Sequence, residues 1–406
     1  MSLQLSKGQG IEMRRRRQTF HATSTGSYLS TSSSQVRIEM NIDKEVLDFE
    51  TGYLMFDMII TKDGGTTDTV SGIPWSASSW IRDLRVYDRA GREIGEQVRQ
   101  YNGLCRKQAE LLGNEGANAN YLDILEGATG IAVSGAGAAA ATTSVEFAHK
   151  LATHIFDVKS YFPANKMGGL ILEFDMEDVA NVALMSGTTD SPASYTLSNV
   201  RYVVDLILLK PEAERSLDSQ ISAGGLEIHY SSYMNHSQAV TTNTNQRFDL
   251  GIANGHVKNI QTFQVLDSVR NGVNEDYWAS FAQNNLSSYR FRLGSEYLTE
   301  KDVQMSATRL SEYLIEYLKS NNLDSQDILH FYGDSALVLS TYFTLGQKVE
   351  VSKDPDVLSG RRDFQANKVE LELVFSSTPA SATMYTHIEL DKVLVILPGR
   401  EFKNLS

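Results

Sequence analysis

The sequence predicts an all-β protein: two tandem eight-stranded antiparallel jelly rolls, with short helices in the loops. Three observations lead there. Apolar and polar residues alternate with period two in many segments. Turn signals cut those segments into short strands. The two halves also close on similar strands, Asp205-Leu206-Ile207-Leu208-Leu209-Lys210-Pro211 and Asp391-Lys392-Val393-Leu394-Val395-Ile396-Leu397-Pro398. The two Asp residues lie 186 positions apart (391 minus 205), too long a period for a solenoid and suited to two domains of one fold. A chain of 406 residues is too long for one ordinary core. Polar-outside alternation favours antiparallel sheets over a parallel α/β arrangement.

Residues 1–34 are rich in Ser, Thr, Gly and Arg and read as a flexible basic arm. The first jelly roll is assigned to 35–211. Val36, Ile38, Met40 and Ile42 alternate with polar residues, as in a half-buried strand. Tyr53–Ile60 is almost continuously apolar and predicts a strand covered on both faces. Asp63-Gly64-Gly65 makes a turn, and Trp80–Tyr87 a further strand. Val98, Tyr101, Cys105, Ala109 and Leu112 fall at helical spacing before Gly113-Asn114. Cys105 on that face reads as a small buried hydrophobe. Residues 127–144, rich in Gly and Ala, predict an exposed loop. Strand faces follow at Leu170-Leu172-Phe174-Met176 and Tyr202-Val204-Leu206-Leu208.

The polar stretch 212–224 reads as the linker, and 225–399 as the second jelly roll. Strands are predicted in His256–Leu266, Ser288–Leu293 and Val369–Phe375, with a short helix at Asn274–Phe281. Leu310, Tyr313, Leu314, Tyr317 and Leu318 form the clearest helical stripe in the chain. The strands before the closing ones share a lead-in, Ala164-Asn165-Lys166-Met167 and Ala366-Asn367-Lys368-Val369. Residues 400–406 form a tail.

The formal net charge is −13; Lys7 and Arg14–Arg17 against Glu12 give residues 1–35 a charge of +4, so the rest carries −17. An acidic body with a basic arm is unlike a compact nucleic-acid reader. A single cysteine excludes an internal disulfide and a cysteine-based zinc site within one chain. The N-terminal stretch lacks the apolar run of a secretory signal, and no apolar run of about 18 residues predicts a membrane helix.

GxSxG, HExxH, Walker and GxGxxG patterns are absent. His229 and His236 near Glu227 do not make the HxH pair of a cupin metal site. Asp354 and Asp356 flank Pro355 without the spacing of a calcium loop and read as a turn. Glu173 and Asp175 share one side of a strand and read as a solvated face; as an acid and base they would make a jelly-roll glycosidase. Only Trp75, Trp80 and Trp278 are present to line a sugar cleft, which weighs against that reading. No enzyme activity is expected, and no catalytic, cofactor-binding or metal residue is assigned.

The chain resembles the double jelly-roll major capsid proteins of icosahedral DNA viruses, the lineage of adenovirus hexon and the tailless membrane-containing phages. The resemblance spans roughly 35–398. It rests on Ser78-Ser79-Trp80-Ile81-Arg82-Asp83-Leu84 leading to Tyr101-Asn102; on His154-Ile155-Phe156-Asp157, Tyr161-Phe162-Pro163 and Gly168-Gly169-Leu170; and on Tyr289-Arg290-Phe291-Arg292-Leu293-Gly294-Ser295 before the helix at 309–320. It implies a structural subunit of the virion, made in the host cell interior, that forms homotrimers of pseudo-hexagonal outline and then meets neighbouring capsomers, penton and minor capsid proteins. Loops 127–144 and 352–365 become candidate surface or inter-capsomer loops. The run Arg14, Arg15, Arg16 and Arg17 becomes an inner-surface assembly element able to touch the genome, an inner membrane or a neighbouring capsomer. A virion receptor-attachment or carbohydrate-binding spike is the alternative of a different class.

Overall fold

The computed structural model describes residues 14–24, 26–63, 69–72, 77–95, 97–105, 144–151, 154–158, 160–182, 184–186, 191–252, 256–270, 282–306, 308–321, 343–350, 360 and 368–405. The first half contains β1 (Arg14–His21), β2 (Tyr28–Leu29), β3 (Gln35–Asn41), β4 (Val46–Asp63), β5 (Thr69–Gly72), β6 (Ile81–Asp88), β7 (Val98–Arg99), β8 (Val145–His149), β9 (Gly169–Met176), β10 (Leu184–Ser186) and β11 (Ser191–Leu208). Helix α1 (Pro211–Gly224) leads to the second half. There follow β12 (Leu226–Val240), β13 (Asn245–Asp249), β14 (His256–Leu266), β15 (Leu286–Leu293), β16 (Glu296–Tyr297) and β17 (Val303–Gln304). Helix α2 (Ser311–Ser320), β18 (Thr344–Lys348), β19 (Val369–Phe375), β20 (Ala382–Leu397) and β21 (Glu401–Leu405) complete the order.

The sheets show why the halves look alike. The first half has one sheet ordered β1-β11-β4-β8 and another ordered β3-β9-β6-β7. The second has β12-β20-β14-β18, and β13-β19-β15 with β16 and β17 both on β15. With the eight main strands of each half lettered B to I in chain order, both halves build a B-I-D-G sheet facing a C-H-E-F sheet. That is the jelly roll, and all the pairings are antiparallel.

The period-two pattern puts alternate residues of each strand inward. In β3, Val36, Ile38 and Met40 are buried and their neighbours exposed. Phe56, Trp80, Phe147 and Phe174 meet in the first core, with Phe56 5.5 Å from Trp80 and 5.6 Å from Phe147 between ring centres. Gly52 interrupts β4 because the Tyr202 hydroxyl occupies the space a Cβ would need. The second core centres on Ile260, Tyr289, Phe291, Leu371 and Ile388.

Several expectations change. The mobile arm over 1–34 does not hold for Arg14–His21, which form strand B of the first half, paired along β11 from Arg14↔Leu208 to His21↔Arg201. The linker is a helix: Pro211 sits at its first turn with Glu212 and Glu214, which suit the positive helix end, and Gly225 stops it at φ +100. Val98 belongs to β7 and not to the helix predicted from 98; residues 101–105 are helical, and 106–112 lie outside the described residues. The tail contains β21, paired to β20. The loop 127–143, the helix at Asn274–Phe281, Trp75, Trp278, Asp354 and Asp356 also lie outside the described residues.

The two halves stand the same way up. At one end Asn235 of β12 donates to the Arg99 carbonyl of β7 at 3.2 Å. At the other, Arg400 approaches Asp43 at 3.8 Å and Asn404 donates to the Glu93 carbonyl at 3.4 Å. The strand ends that lead into the D–E and F–G connections of both halves therefore lie at one end, with Arg14, the C–D turn and α1 at the opposite end.

Candidate assembly surface

Arg14–Arg17 lie on an edge strand with all four residues exposed. Arg17 pairs in register with Asp205 of β11, and Asp205 pairs with Asp48 of β4. Two carboxylates directly opposite one another repel. Arg15 bridges them, contacting Asp48 and reaching Asp205 at 2.8 Å. Arg17 reaches Asp205 at 3.5 Å, and Arg16 reaches Glu45 at 2.8 Å. The run thus knits three strands together, and its charge also blunts an open sheet edge. Sequence reasoning missed the acidic partners because they stand at 45, 48 and 205, far along the chain. Asp205 was the available signal, since it opens the repeated closing strand.

The outer faces of the C-H-E-F sheets carry a matched set of charges. Arg37, Glu173 and Arg85 are in register across β3, β9 and β6. Arg247, Glu372 and Arg290 are in register across β13, β19 and β15. Glu173 is paired to Arg85 at 2.9 Å, while Glu372 is paired to Arg247. Arg290 instead binds the Thr299 and Glu300 carbonyls and stacks 3.6 Å over Tyr297. Glu173 is therefore a cross-strand ion-pair member and not merely a solvated side chain. Burial and the carboxylate Glu173 raise the Tyr87 hydroxyl pKa above its ordinary value.

A clasp joins the halves at the α1 end. Asp88, fully buried, accepts hydrogen bonds from the Arg92 backbone at 2.7 Å and guanidinium at 2.7 and 2.9 Å. Arg92 then donates to the Arg400 carbonyl at 2.6 Å and lies 4.8 Å over the Phe402 ring. Beside it, Leu217 and Ile221 of α1, Ile228 and Tyr230 of β12, and Leu394 and Ile396 of β20 all join the first half's core.

The remaining singled-out residues sit apart. His229 and His236 lie on β12, and His236 is 2.8 Å from the Gln238 amide. Among the described residues no three His, Cys, Asp or Glu side chains converge as a metal ion would require. Cys105 is buried, 3.8 Å from His149 Nε2, which also meets the Tyr101 hydroxyl at 2.9 Å. Among the described residues no helix is long and apolar enough to cross a membrane.

No protein-family model and no curated protein sequence matches the chain. Solved structures do. The VP54 protein of PBCV-1, a crystal structure fitted into a reconstruction of the virophage Sputnik, superposes with a TM-score of 0.65 at 10% identity, over 100% of this chain and 99% of that one. The PBCV-1 virus capsid, a quasi-atomic model, gives 0.62 at 12% identity, over 100% and 99%. The Faustovirus major capsid protein gives 0.62 at 9% identity, over 98% and 93%. The fold is thus the double jelly roll, matched end to end. The solved proteins that share it here are viral capsid proteins.

Proposed function

We propose that this chain is a structural major capsid protein of an icosahedral virus, located in the virion, that assembles as a homotrimer of pseudo-hexagonal outline. One observation carries the reading: a single chain presents two jelly rolls of identical strand order, side by side and the same way up. Three such chains around a threefold axis present six similar lobes. That shape fills a six-neighbour position in a shell using closed symmetry. A spike or a glycosidase has no need of two equivalent lobes. The neighbours in the shell are other copies of this capsomer, together with penton and minor capsid proteins. Arg14–Arg17 lie at the end away from the strand ends that open the D–E and F–G connections, which supports an inner-surface position for them near genome or membrane. Light scattering on the purified protein tests the trimer. The expected mass is about 135 kDa, three times 45.1 kDa. A single-chain mass at high concentration overturns the proposal.

A further inference from the structure

Strand β12 carries the same small arrangement twice. The Asn235 side-chain nitrogen donates to the Arg99 carbonyl of β7 at 3.2 Å and lies 2.8 Å from His387 Nε2. The Gln238 side-chain nitrogen donates to the Asp249 carbonyl of β13 at 2.7 Å and lies 2.8 Å from His236 Nε2. In each case one amide nitrogen bridges a backbone carbonyl and an imidazole. The carbonyl fixes the amide's orientation, because an amide oxygen there would face another acceptor. The same nitrogen then spends its second hydrogen on the imidazole, so Nε2 must accept. Both rings are therefore neutral, with the proton on Nδ1.

The two bridges hold β12 to different neighbours. Asn235 ties it to the first half, and Gln238 ties it to the facing sheet of its own half. Strand β12 is the edge of its sheet, paired along its length only to β20. It also lies against the helical turn His154–Asp157, which bears His154 and Asp157. His387 is 1% exposed. On its own strand Tyr385 and Glu389 share its face, β12 brings Tyr233, and β7 brings Arg99. Strand β14 offers only the Gln261 amide and the Phe263 ring, 5.5 Å away. Glu389 is taken up by Lys258 at 3.4 Å and Asn259 at 2.7 Å. Beside His236 stand Asp249 and, on Asp249, Lys368, which also holds Glu370. Asp249 thus offers a protonated His236 a new partner away from Gln238.

We propose that β12 is an acid-released seam strand. Protonation of His387 and His236 turns both Nε2 atoms into donors facing donors, breaks the bridges to Arg99 and Asp249, and loosens the contact between the halves while both cores stay folded. The closed seam binds fewer protons than the open one. Its stabilisation is therefore complete above the ordinary histidine value near 6.5 and weakens about tenfold per histidine for each unit of pH below it. The device belongs to the single chain and holds whether or not the chain assembles.

Hydrogen exchange of the full chain, read by mass spectrometry, tests it at about pH 7.5 and 5.5, one unit either side of the ordinary histidine value, with rates corrected for the intrinsic effect of pH. Strand β19, in the middle of the facing sheet, is the internal reference. Wild-type β12 should lose about tenfold or more of its protection at the lower pH, while β19 keeps its own. A glutamine accepts from an amide and does not titrate, so His387→Gln with His236→Gln should keep β12 protected at both pH values. Asn235→Ala with Gln238→Ala removes the bridges themselves and decides the matter should the histidine variant fail to fold. Its β12 should be equally unprotected at both pH values. Wild-type protection of β12 that does not change with acid overturns the proposal. So does a histidine variant that loosens as the wild type does, or a variant without bridges that still loosens with acid.

Discussion

Glu173 and Glu372 occupy the same place in the two jelly rolls, so a matched pair of substitutions isolates the effect of their surroundings. Glu173→Gln removes a charge whose side chain is 11% exposed, paired to Arg85 at 2.9 Å and accepting from the Tyr87 hydroxyl at 3.4 Å. A hydrogen bond to a charged group contributes about 1.5–3 kcal/mol. Arg85 is 28% exposed and keeps Asp175 at 3.0 Å, so the loss is discounted to about 1–2 kcal/mol. For a unit of this size that is a fall in Tm of about 2–8 °C. Glu372 is 25% exposed and its partner Arg247 is 51% exposed, so solvent screens the second pair more strongly. Glu372→Gln should therefore lower Tm by less. Differential scanning calorimetry of both variants, at equal protein concentration, provides the comparison. Tyrosine titration adds a second readout, because losing Glu173 should move Tyr87 down toward 10.0. An equal or larger fall for Glu372→Gln would refute the reasoning that burial decides the strength of these pairs.

Other perturbations follow from the packing. Gly52→Ala drives a methyl into the Tyr202 hydroxyl and should cost about 1–3 kcal/mol, read as a lowered denaturant midpoint. Phe56→Ala empties the space between Trp80 and Phe147 and should cost about 3–5 kcal/mol, enough to reduce soluble yield on expression. For Asp249, burial raises the carboxyl pKa, but the Gly251 N–H and Lys368 outweigh it and hold the group below its ordinary value. A depressed folded-state pKa gives stability that is present above the unfolded value near 3.8 and lost as pH falls through the folded one. Asp249→Asn should therefore flatten the Tm-against-pH curve below about pH 4 and leave its slope at neutral pH unchanged.

Alternation made β3, β9 and β19 legible, since each buries every second apolar residue on one core. The stripe from Leu310 to Leu318 likewise marks α2, where Tyr313, Tyr317 and Leu318 are buried. Strand β1 was not legible because four arginines carry no apolar signal, and its pairing depends on carboxylates from three distant positions. Helix α1 shows only Leu217 and Ile221 to its core, too little apolar face to distinguish it from a loop. Val98 kept helical spacing with Tyr101 but is taken by Leu84 across β6. The shared lead-in is not a structural equivalence: Glu173 stands eight residues past Asn165, whereas Glu372 stands five past Asn367. The true repeat, Arg37-Glu173-Arg85 against Arg247-Glu372-Arg290, is spread over three strands in each half and is visible only in register.

The clasp sets an order on manufacture. A chain leaves the ribosome N-terminus first, and early domains ordinarily fold while later ones are being made. Here the first half's own strands end at Leu208, but its core also takes Ile228, Tyr230, Leu394 and Ile396. Arg92 likewise waits for Arg400 and Phe402. The first jelly roll is therefore finished by nearly the last residues described, about 190 positions after its own final strand. A nascent or truncated chain offers an unclosed first half. Every contact that closes the first half from β20 and β21 is thus made only after the strands of the second half have been built.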